Sequence, residues 1–289
     1  MPPRAWHQTS VNTDSEVFVD AYQILLATNE HASGIPLTIG IWNLESLAHD
    51  REYGIKLVQP DSLEHLLMLA RTNVGFQIRQ GAVRVIGSAL WNNPEAMELV
   101  KQSRLVTQLI EVLKTEKEAS VRASLIFAMS AATAGEDGMK EFLEGGGSQL
   151  LRELFLTDEP EVQGKCATFV EDNLPANHAM GEVHDELRLW CNAFQRVLQE
   201  NRDDITSEKV LSSLMYAYLF PTNCRAIKRN AKDICTARPG FIEWLANNVV
   251  SQHSETMMEL LNDARHMFGN PKAARKTAWE DEPRMKDEL

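Results

Sequence analysis

The stretch from Leu63 to Gly147 carries one pattern of apolar and polar residues twice, and this repetition limits what the chain can fold into. The Leu-Leu pair at 66–67 recurs as the Leu-Ile pair at 109–110, 43 positions later. The Ile-Arg pair at 78–79 recurs as the Val-Arg pair at 121–122 with the same spacing. Two segments that keep one spacing at several positions indicate a repeated structural unit.

Further copies of this unit lie on both sides. A Leu-Leu pair at 150–151 follows the pair at 109–110 by 41 positions, and Leu47 precedes Leu90 by 43. A weaker copy lies between Asp185 and His253. Because a helical unit that cannot cover its own apolar face needs a stacked neighbour, one repeat implies others.

A period of about 40–47 residues made only of helices is typical of armadillo and HEAT arrays. We therefore predict an all-α chain with an armadillo-like, right-handed superhelical solenoid fold. Residues 1–36 are predicted to be an N-terminal extension with one helix, which starts at a capping box, Thr13 to Glu16. Residues 37–268 form the predicted repeat domain, and residues 269–289 form a predicted flexible tail.

Each repeat is predicted to contain a helix with the apolar pair, a short break and a longer helix. The long helices are expected at Gln77 to Trp91, from about Ala119 to Ala134, and at Pro160 to Leu174. Proline is favoured in the first turn of a helix, where its missing N–H removes no hydrogen bond. The glycine triplet 145–147 follows one helix and precedes another, which predicts a helix C-cap and turn.

The charge of the chain argues against two classes of partner. With 29 Lys and Arg against 41 Asp and Glu, the formal net charge is −12. A nucleic-acid binder or a protein held to an anionic membrane would show a basic surface. No apolar run approaches the roughly 18 residues that span a bilayer. We expect neither nucleic-acid binding nor membrane insertion, and we expect a monomer.

The chain ends in the tetrapeptide Lys286, Asp287, Glu288, Leu289. A C-terminal KDEL sequence is the address that returns a protein to the endoplasmic-reticulum lumen through a retrieval receptor. The first residues, MPPRAW, lack the apolar core of a secretory signal. We expect that a longer precursor was trimmed, and a cytosolic protein with an accidental KDEL is the alternative.

The four cysteines leave several arrangements open. Cys166, Cys191, Cys224 and Cys235 can pair in three ways, and none forms a CxxC motif. Cys166 lies on a predicted helix and is expected to be a buried thiol. A bridge that involves Cys224 or Cys235 is one possible arrangement.

No catalytic or cofactor motif is present in the sequence. It contains no phosphate-binding loop, no HExxH and no GxSxG, and the eight histidines show no ligand spacing. We expect no enzymatic activity, no cofactor and no metal site, so function is expected to lie in a binding surface.

The predicted helix 77–91 has two faces. Val83, Ile86 and Leu90 form the expected buried stripe, and a second stripe on a different face is expected to line a concave groove. That second stripe contains Gln80, Arg84, Ser88 and Trp91. Trp91 is either an exposed aromatic of the kind that dominates binding interfaces or part of the core between repeats. Asp172 follows in register with Ser88 two repeats later.

Polar residues recur at the predicted rim of this groove. One row at repeat spacing combines acidic, amide and imidazole groups, which suits a basic or polar protein surface. Its members, one repeat after another, are His49, Asp50 and Glu52; Asn92, Asn93 and Glu95; Glu136 and Asp137; and Asn177 with His178.

Three segments carry a family resemblance: LESLAHDREYGIKLV, IRQGAVRVIGSALWNNPEAMELV and SVRASLIFAMSAATAG. They resemble the armadillo-type nucleotide exchange factors of seventy-kilodalton heat-shock chaperones, over about Leu44 to Asn177. The lumenal branch of that family serves the chaperone BiP and carries a retrieval tail. The resemblance implies that the concave face grips lobe II of the chaperone's ATPase domain, opens its nucleotide cleft and releases ADP.

Two other functions remain open. One is a peptide-cargo adaptor, whose groove helices carry Trp and Asn four positions apart. Here only Trp244 has its Asn, at Asn248, while Trp42, Trp91 and Trp190 do not. The other is a lumenal redox protein that acts through its cysteines.

Overall fold

The computed structural model describes residues 13–29, 34–72, 74–157, 159–175, 181–200, 204–218, 235–248 and 254–269. Within those ranges the regular secondary structure is α-helical. The helices are α1 (Asp14–Leu26), α2 (Ile35–Leu47), α3 (Arg51–Leu57), α4 (Pro60–Arg71), α5 (Phe76–Leu90), α6 (Pro94–Val100), α7 (Leu105–Thr115), α8 (Ala119–Ala132), α9 (Glu136–Glu144), α10 (Gly147–Thr157), α11 (Pro160–Asn173), α12 (Gly181–Glu200), α13 (Asp204–Tyr218), α14 (Phe241–Asn248) and α15 (Glu255–Gly269).

The described helices form two compact units, which divide between Glu141 and Phe142. In the first unit the long helices α2, α5 and α8 pack side by side in sequence order, with α5 in the middle. In the second unit α11 packs against α13. Long helices that lie next to each other at repeat spacing are the arrangement expected of armadillo units.

Local sequence signals start these helices. Thr13 and Glu16 form a reciprocal capping box at α1, which confirms the predicted start. Pro60, Pro94 and Pro160 are the first residues of α4, α6 and α11. A proline there removes no hydrogen bond, because the first-turn N–H groups have no partner within the helix.

The predicted long helices are confirmed to within two residues at each end, and so is their buried stripe. Val83, Ile86 and Leu90 are buried in the first unit. The glycine turn is also confirmed, because Gly146 adopts a φ of 72° between α9 and α10. That conformation is open to glycine and costly for most other residues.

The predicted boundary at residue 36 does not separate an extension from the repeats. Pro36 lies in the first turn of α2, and α1 packs along α2 and against α4. Helix α1 is therefore part of the first unit. The residues from Gly34 to Pro36 separate α1 from α2 and also start α2, because Pro36 stands in the first turn of that helix.

The sequence pattern also predicts a helix from Cys224 to Thr236, and this prediction is wrong at its C-terminal end. Residues Cys235 to Arg238 are non-helical and lead into α14. Residues 224–234 lie outside the described part of the chain. No helix of the described residues is long and apolar enough to cross a bilayer.

Candidate functional site

The surface of α5 is held in place by its neighbours α2 and α8. Arg84 of α5 forms an ion pair with Glu45 of α2, with 2.8 Å between Nε and Oε1. Gln80 donates a hydrogen bond from Nε2 to the carbonyl oxygen of Ser120 at 3.5 Å. Arg84 keeps half of its side chain exposed, so its charge is fixed in position and still open to a partner.

Trp91 follows the last residue of α5 and is 45% exposed. Its ring lies 5.9 Å from the ring of Phe127 on α8, centroid to centroid. Phe127 lies so close over Gly87 that a Cβ there would approach the ring to 2.5 Å. Glycine at position 87 therefore allows the two aromatic side chains to meet, and Trp91 is fixed on one side and exposed on the other.

Asn92 and Asn93 have different roles, although the sequence placed them together. Asn92 is exposed and adopts a φ of 54°, which asparagine tolerates better than most residues. Asn93 is 5% exposed. Its Oδ1 accepts from the backbone N of Ala96 and caps α6, while its Nδ2 donates to the carbonyl of Arg51. Asn93 therefore ties one repeat to the next and presents little surface to a partner.

The earlier rim positions lie at the start of α3. Asp50 is the N-cap of α3, where its Oδ1 accepts from the backbone N–H groups of Glu52 and Tyr53 at 2.9 and 3.2 Å. His49 and Glu52 are exposed. Asp50 both caps α3 and remains exposed. A substitution at this position therefore changes the stability of α3 as well as the charge of the surface.

Two basic residues lie among the acidic rim side chains. Arg51 forms an exposed ion pair with Glu95. Lys101 lies 2.7 Å from Glu98 and 3.7 Å from Asp137 in the first turn of α9, beside the exposed Glu136. These neighbours raise the pKa of Lys101, first through its hydrogen bond with Glu98. The rim of the first unit is therefore acidic overall but partly neutralised.

Asp172 belongs to α11 in the second unit, where it is exposed. Loss of hydration around its carboxyl raises the pKa of Asp172, and the charge of Glu171 raises it further. The positive charges of Lys209 and Lys165 lower the pKa of Asp172 and partly offset this rise. Glu171 itself accepts hydrogen bonds from Lys209 and Ser213 across the contact between α11 and α13.

Several predicted positions lie outside the described residues. They are Asn177 and His178, the retrieval sequence 286–289, and Cys224. The described candidate positions of the first unit are the α5 surface with Arg84 and Trp91 and the rim. In the second unit the described candidate position is Asp172. Among the described residues, no group of three or more His, Cys, Asp or Glu side chains could hold a metal ion.

The structure joins Cys191 of α12 to Cys235 in a disulfide, with 5.4 Å between the Cα atoms. Both cysteines are buried. The amide of Gln195 donates to the carbonyl of Thr236 and accepts from the backbone N of Arg238, so hydrogen bonds hold the same segment. Cys166 is a buried residue outside this disulfide, as predicted.

Sequence reasoning missed Glu45, Arg51 and Lys101, the partners that position the predicted side chains. Arg51 directly follows Asp50, and Lys101 lies six positions after Glu95. The repeat spacing narrows the candidates, because side chains about one period apart become neighbours in a stacked array, but it does not specify which of them pair.

Known structures with this arrangement are armadillo repeat proteins. The chain is similar to a designed armadillo repeat protein in complex with peptide (KR)4, with a TM-score of 0.60 and 14% identity over 85% of this chain and 98% of that one. It is also similar to ARO, an armadillo repeats only protein from Plasmodium falciparum, with a TM-score of 0.51, 15% identity and coverage of 72% and 99%. The chain thus has an armadillo-like fold.

The chain belongs to the family described as nucleotide exchange factor SIL1, whose sequence model matches residues 26–283. It is 24% identical to nucleotide exchange factor SIL1 of Candida albicans, over 93% of this chain and 69% of that protein. It is 22% identical to the Xenopus laevis protein of the same name, over 75% of this chain and 51% of that one. The chain spans about half the length of the Xenopus relative.

Proposed function

We propose that this chain is a nucleotide exchange factor for the seventy-kilodalton chaperone of the endoplasmic-reticulum lumen, BiP. The observation that carries the proposal is the family match over residues 26–283. In this proposal the protein performs no chemistry of its own. It binds the ATPase domain of the chaperone with the α5 surface and the acidic rim, and it favours the conformation whose nucleotide cleft is open.

The exchange follows from thermodynamic coupling between two ligands of the chaperone. A protein that binds the open cleft more tightly than the closed one shifts the chaperone toward the open conformation. ADP binding then weakens by the same factor, which for coupled sites is about 5–150-fold. The packing of α2, α5 and α8 supports this role, because a binding surface on closely packed helices resists deformation when the partner is held open.

Two observations support a lumenal location. The tetrapeptide Lys286 to Leu289 matches the retrieval sequence KDEL, so a retrieval receptor is the second proposed partner. The disulfide between Cys191 and Cys235 is of a kind that persists in oxidising compartments.

A peptide-cargo adaptor is the alternative that the fold raises, because one similar designed protein is described in complex with the peptide (KR)4. The tryptophan and asparagine side chains that such a peptide-binding groove would use do not support this alternative. Trp190 is buried, and Asn248 donates its side-chain N–H to the carbonyl of Trp244 in its own helix. A redox function is also less well supported, because the sulfurs of Cys166, Cys191 and Cys235 are buried away from substrates.

The direct test is release of a fluorescent ADP analogue from purified BiP in stopped flow, with excess unlabelled ATP as the chase. Increasing concentrations of this protein are expected to accelerate release until the effect saturates. A cytosolic seventy-kilodalton chaperone serves as a matched control for specificity. An unchanged release rate from BiP at saturating protein would contradict the proposal.

A further inference from the structure

Helix α2 carries an exposed apolar stripe formed by Ile35, Ile39 and Trp42, which we name the α2 stripe. The exposed fractions of these side chains are 75%, 51% and 74%. Positions separated by four and then three residues lie on one face of a helix, so the three side chains form a continuous surface. Contiguous apolar surface of this kind marks an interaction site more often than scattered exposed residues do.

The other faces of α2 are already used within the first unit. Leu37, Ile41 and Leu44 are buried. Ile41 lies close over Gly81 of α5, where an added Cβ would approach its Cγ2 to 2.5 Å. In the part of the chain that the structure describes, α2 packs chiefly on α1 and α5, while the side chains of the α2 stripe keep half or more of their surface exposed.

We propose that the α2 stripe is a binding surface for an apolar patch flanked by basic side chains on the chaperone's ATPase domain. The proposal rests on the function proposed above and adds a contact that the candidate site lacks. Trp42 lies one helical turn before Glu45, whose partner Arg84 belongs to the α5 surface. The α2 stripe therefore extends the candidate surface along the row of long helices.

The charges around the α2 stripe decide which occupant it suits. Glu45 is the only charged residue of α2, and its carboxylate is engaged by Arg84. The exposed carboxylates of Asp50 and Glu52 follow the C-terminus of α2, and Arg51 between them is paired with Glu95. A second copy of this chain would bring the same carboxylates and a net charge of −12 against them. Like charges oppose such a contact, whereas Lys or Arg side chains on a different protein would complement them.

Trp42 is expected to contribute most to binding, because tryptophan supplies a large contact area and is enriched among the residues that dominate interfaces. Trp42 and Ile39 are both exposed on the native surface, so neither Trp42→Ala nor Ile39→Ser leaves a cavity in the core. Leu189→Ser and Ile242→Ser are matched controls, since each replaces a side chain of the second unit that is apolar and 46% exposed.

The experiment measures the Kd of the full chain for the BiP ATPase domain in the absence of nucleotide, together with ADP release. Trp42→Ala is expected to raise the Kd at least tenfold, with a smaller increase for Ile39→Ser and less than a twofold change for the controls. Circular dichroism and thermal unfolding check that each variant is folded. If the wild-type chain does not accelerate ADP release, the proposed function itself fails.

Three outcomes would overturn the assignment of the α2 stripe while leaving exchange activity intact. The first is a wild-type Kd in both α2 variants. The second is a wild-type dimer in analytical ultracentrifugation that Trp42→Ala converts to a monomer, which would assign the stripe to a second copy. The third is tighter chaperone binding by a chain that lacks residues 1–12, which would assign the stripe to that segment.

Discussion

At the scale of single residues, Trp91 and the exposed carboxylates are the side chains best placed to bind the proposed partner. Trp91→Ala is expected to weaken chaperone binding at least tenfold, because it removes a partly exposed aromatic fixed against Phe127. Asp137→Lys is expected to weaken it less, and mainly through a slower association rate at low salt. Isothermal titration and stopped-flow association at two salt concentrations measure both effects.

The interpretation of these variants depends on the fold being intact. Asp50→Lys would not isolate the effect of surface charge on binding, since it also removes the cap of α3. Leu189→Ser in α12 is the control for loss of exposed apolar surface. Wild-type affinity in both Trp91→Ala and Asp137→Lys would remove the first-unit surface from the binding site.

Asn93 is expected to matter for stability and not for binding. Asn93→Ala removes the cap of α6 and leaves the carbonyl of Arg51 without its side-chain partner, so the free energy of unfolding should fall by about 1–3 kcal/mol. The neighbouring change Asn92→Gly should be neutral or slightly stabilising, because glycine adopts the positive φ without strain. Urea unfolding measures both, and equal losses would show that Asn93 has no special role.

The raised pKa of Asp172 predicts that the stability of the folded protein depends on pH. Its pKa is raised in the folded protein, so the folded state binds more protons than the unfolded state between the unfolded and folded pKa values. The free energy of unfolding therefore falls as pH rises through this window. Above the folded pKa, where Asp172 is ionised in both states, the full destabilisation by its carboxylate is present. Asp172→Asn should stabilise the protein at neutral pH, with a gain that disappears in acid.

Urea unfolding at a series of pH values tests the Asp172 prediction. Glu161→Gln, an exposed carboxyl on the same helix α11, controls for the change in net charge. A gain for Asp172→Asn that persists unchanged to low pH would show that the raised pKa is not its source.

At the scale of the helices, close approach at glycine positions sets how the elements pack. A Cβ on Gly54 would lie 2.9 Å from the carbonyl oxygen of Ala89 and 3.0 Å from that of Ala48. These backbone atoms belong to α5 and to the C-terminal end of α2, so α3 would have to shift away from both helices, and Gly54→Ala should destabilise the protein by about 1–3 kcal/mol.

A second glycine supplies the matched comparison. A Cβ on Gly164 in α11 would meet nothing within 4 Å, so Gly164→Ala should stabilise by about 0.5–1 kcal/mol through the lower conformational entropy of alanine. Thermal unfolding of the two variants side by side measures the difference. Changes of the same sign would show that helix propensity outweighs packing at both positions.

At the scale of the whole molecule, one covalent link connects distant parts of the second unit. The Cys191–Cys235 disulfide closes a sequence separation of 44 residues. The loop-entropy relation gives a stabilisation of about 4 kcal/mol for a loop of this length, with typical measured values of about 2–4 kcal/mol. Reduction should therefore lower the urea midpoint of the wild-type chain.

The double variant Cys191→Ser, Cys235→Ser provides the control for this prediction. It should unfold at a lower urea concentration than the oxidised wild type, and reductant should not change its midpoint further. Hydrogen exchange should show the loss in α12 and α14, while α5 and α8 keep their protection. A wild-type midpoint that reductant leaves unchanged would contradict a stabilising role.

The sequence alone determined the helical class, the repeat spacing and the long helices, because apolar periodicity, prolines and capping residues act within one or two turns. It also placed Val83, Ile86 and Leu90 in the core, since burial of one helix face follows from the same period. Contacts between repeats were decided only by the tertiary structure. The burial of Asn93, the pairing of Glu45 with Arg84, the choice of Cys191 for Cys235 and the exposure of the α2 stripe all depend on which elements lie side by side. That arrangement is set by packing over about 40 residues of chain, which no local pattern specifies.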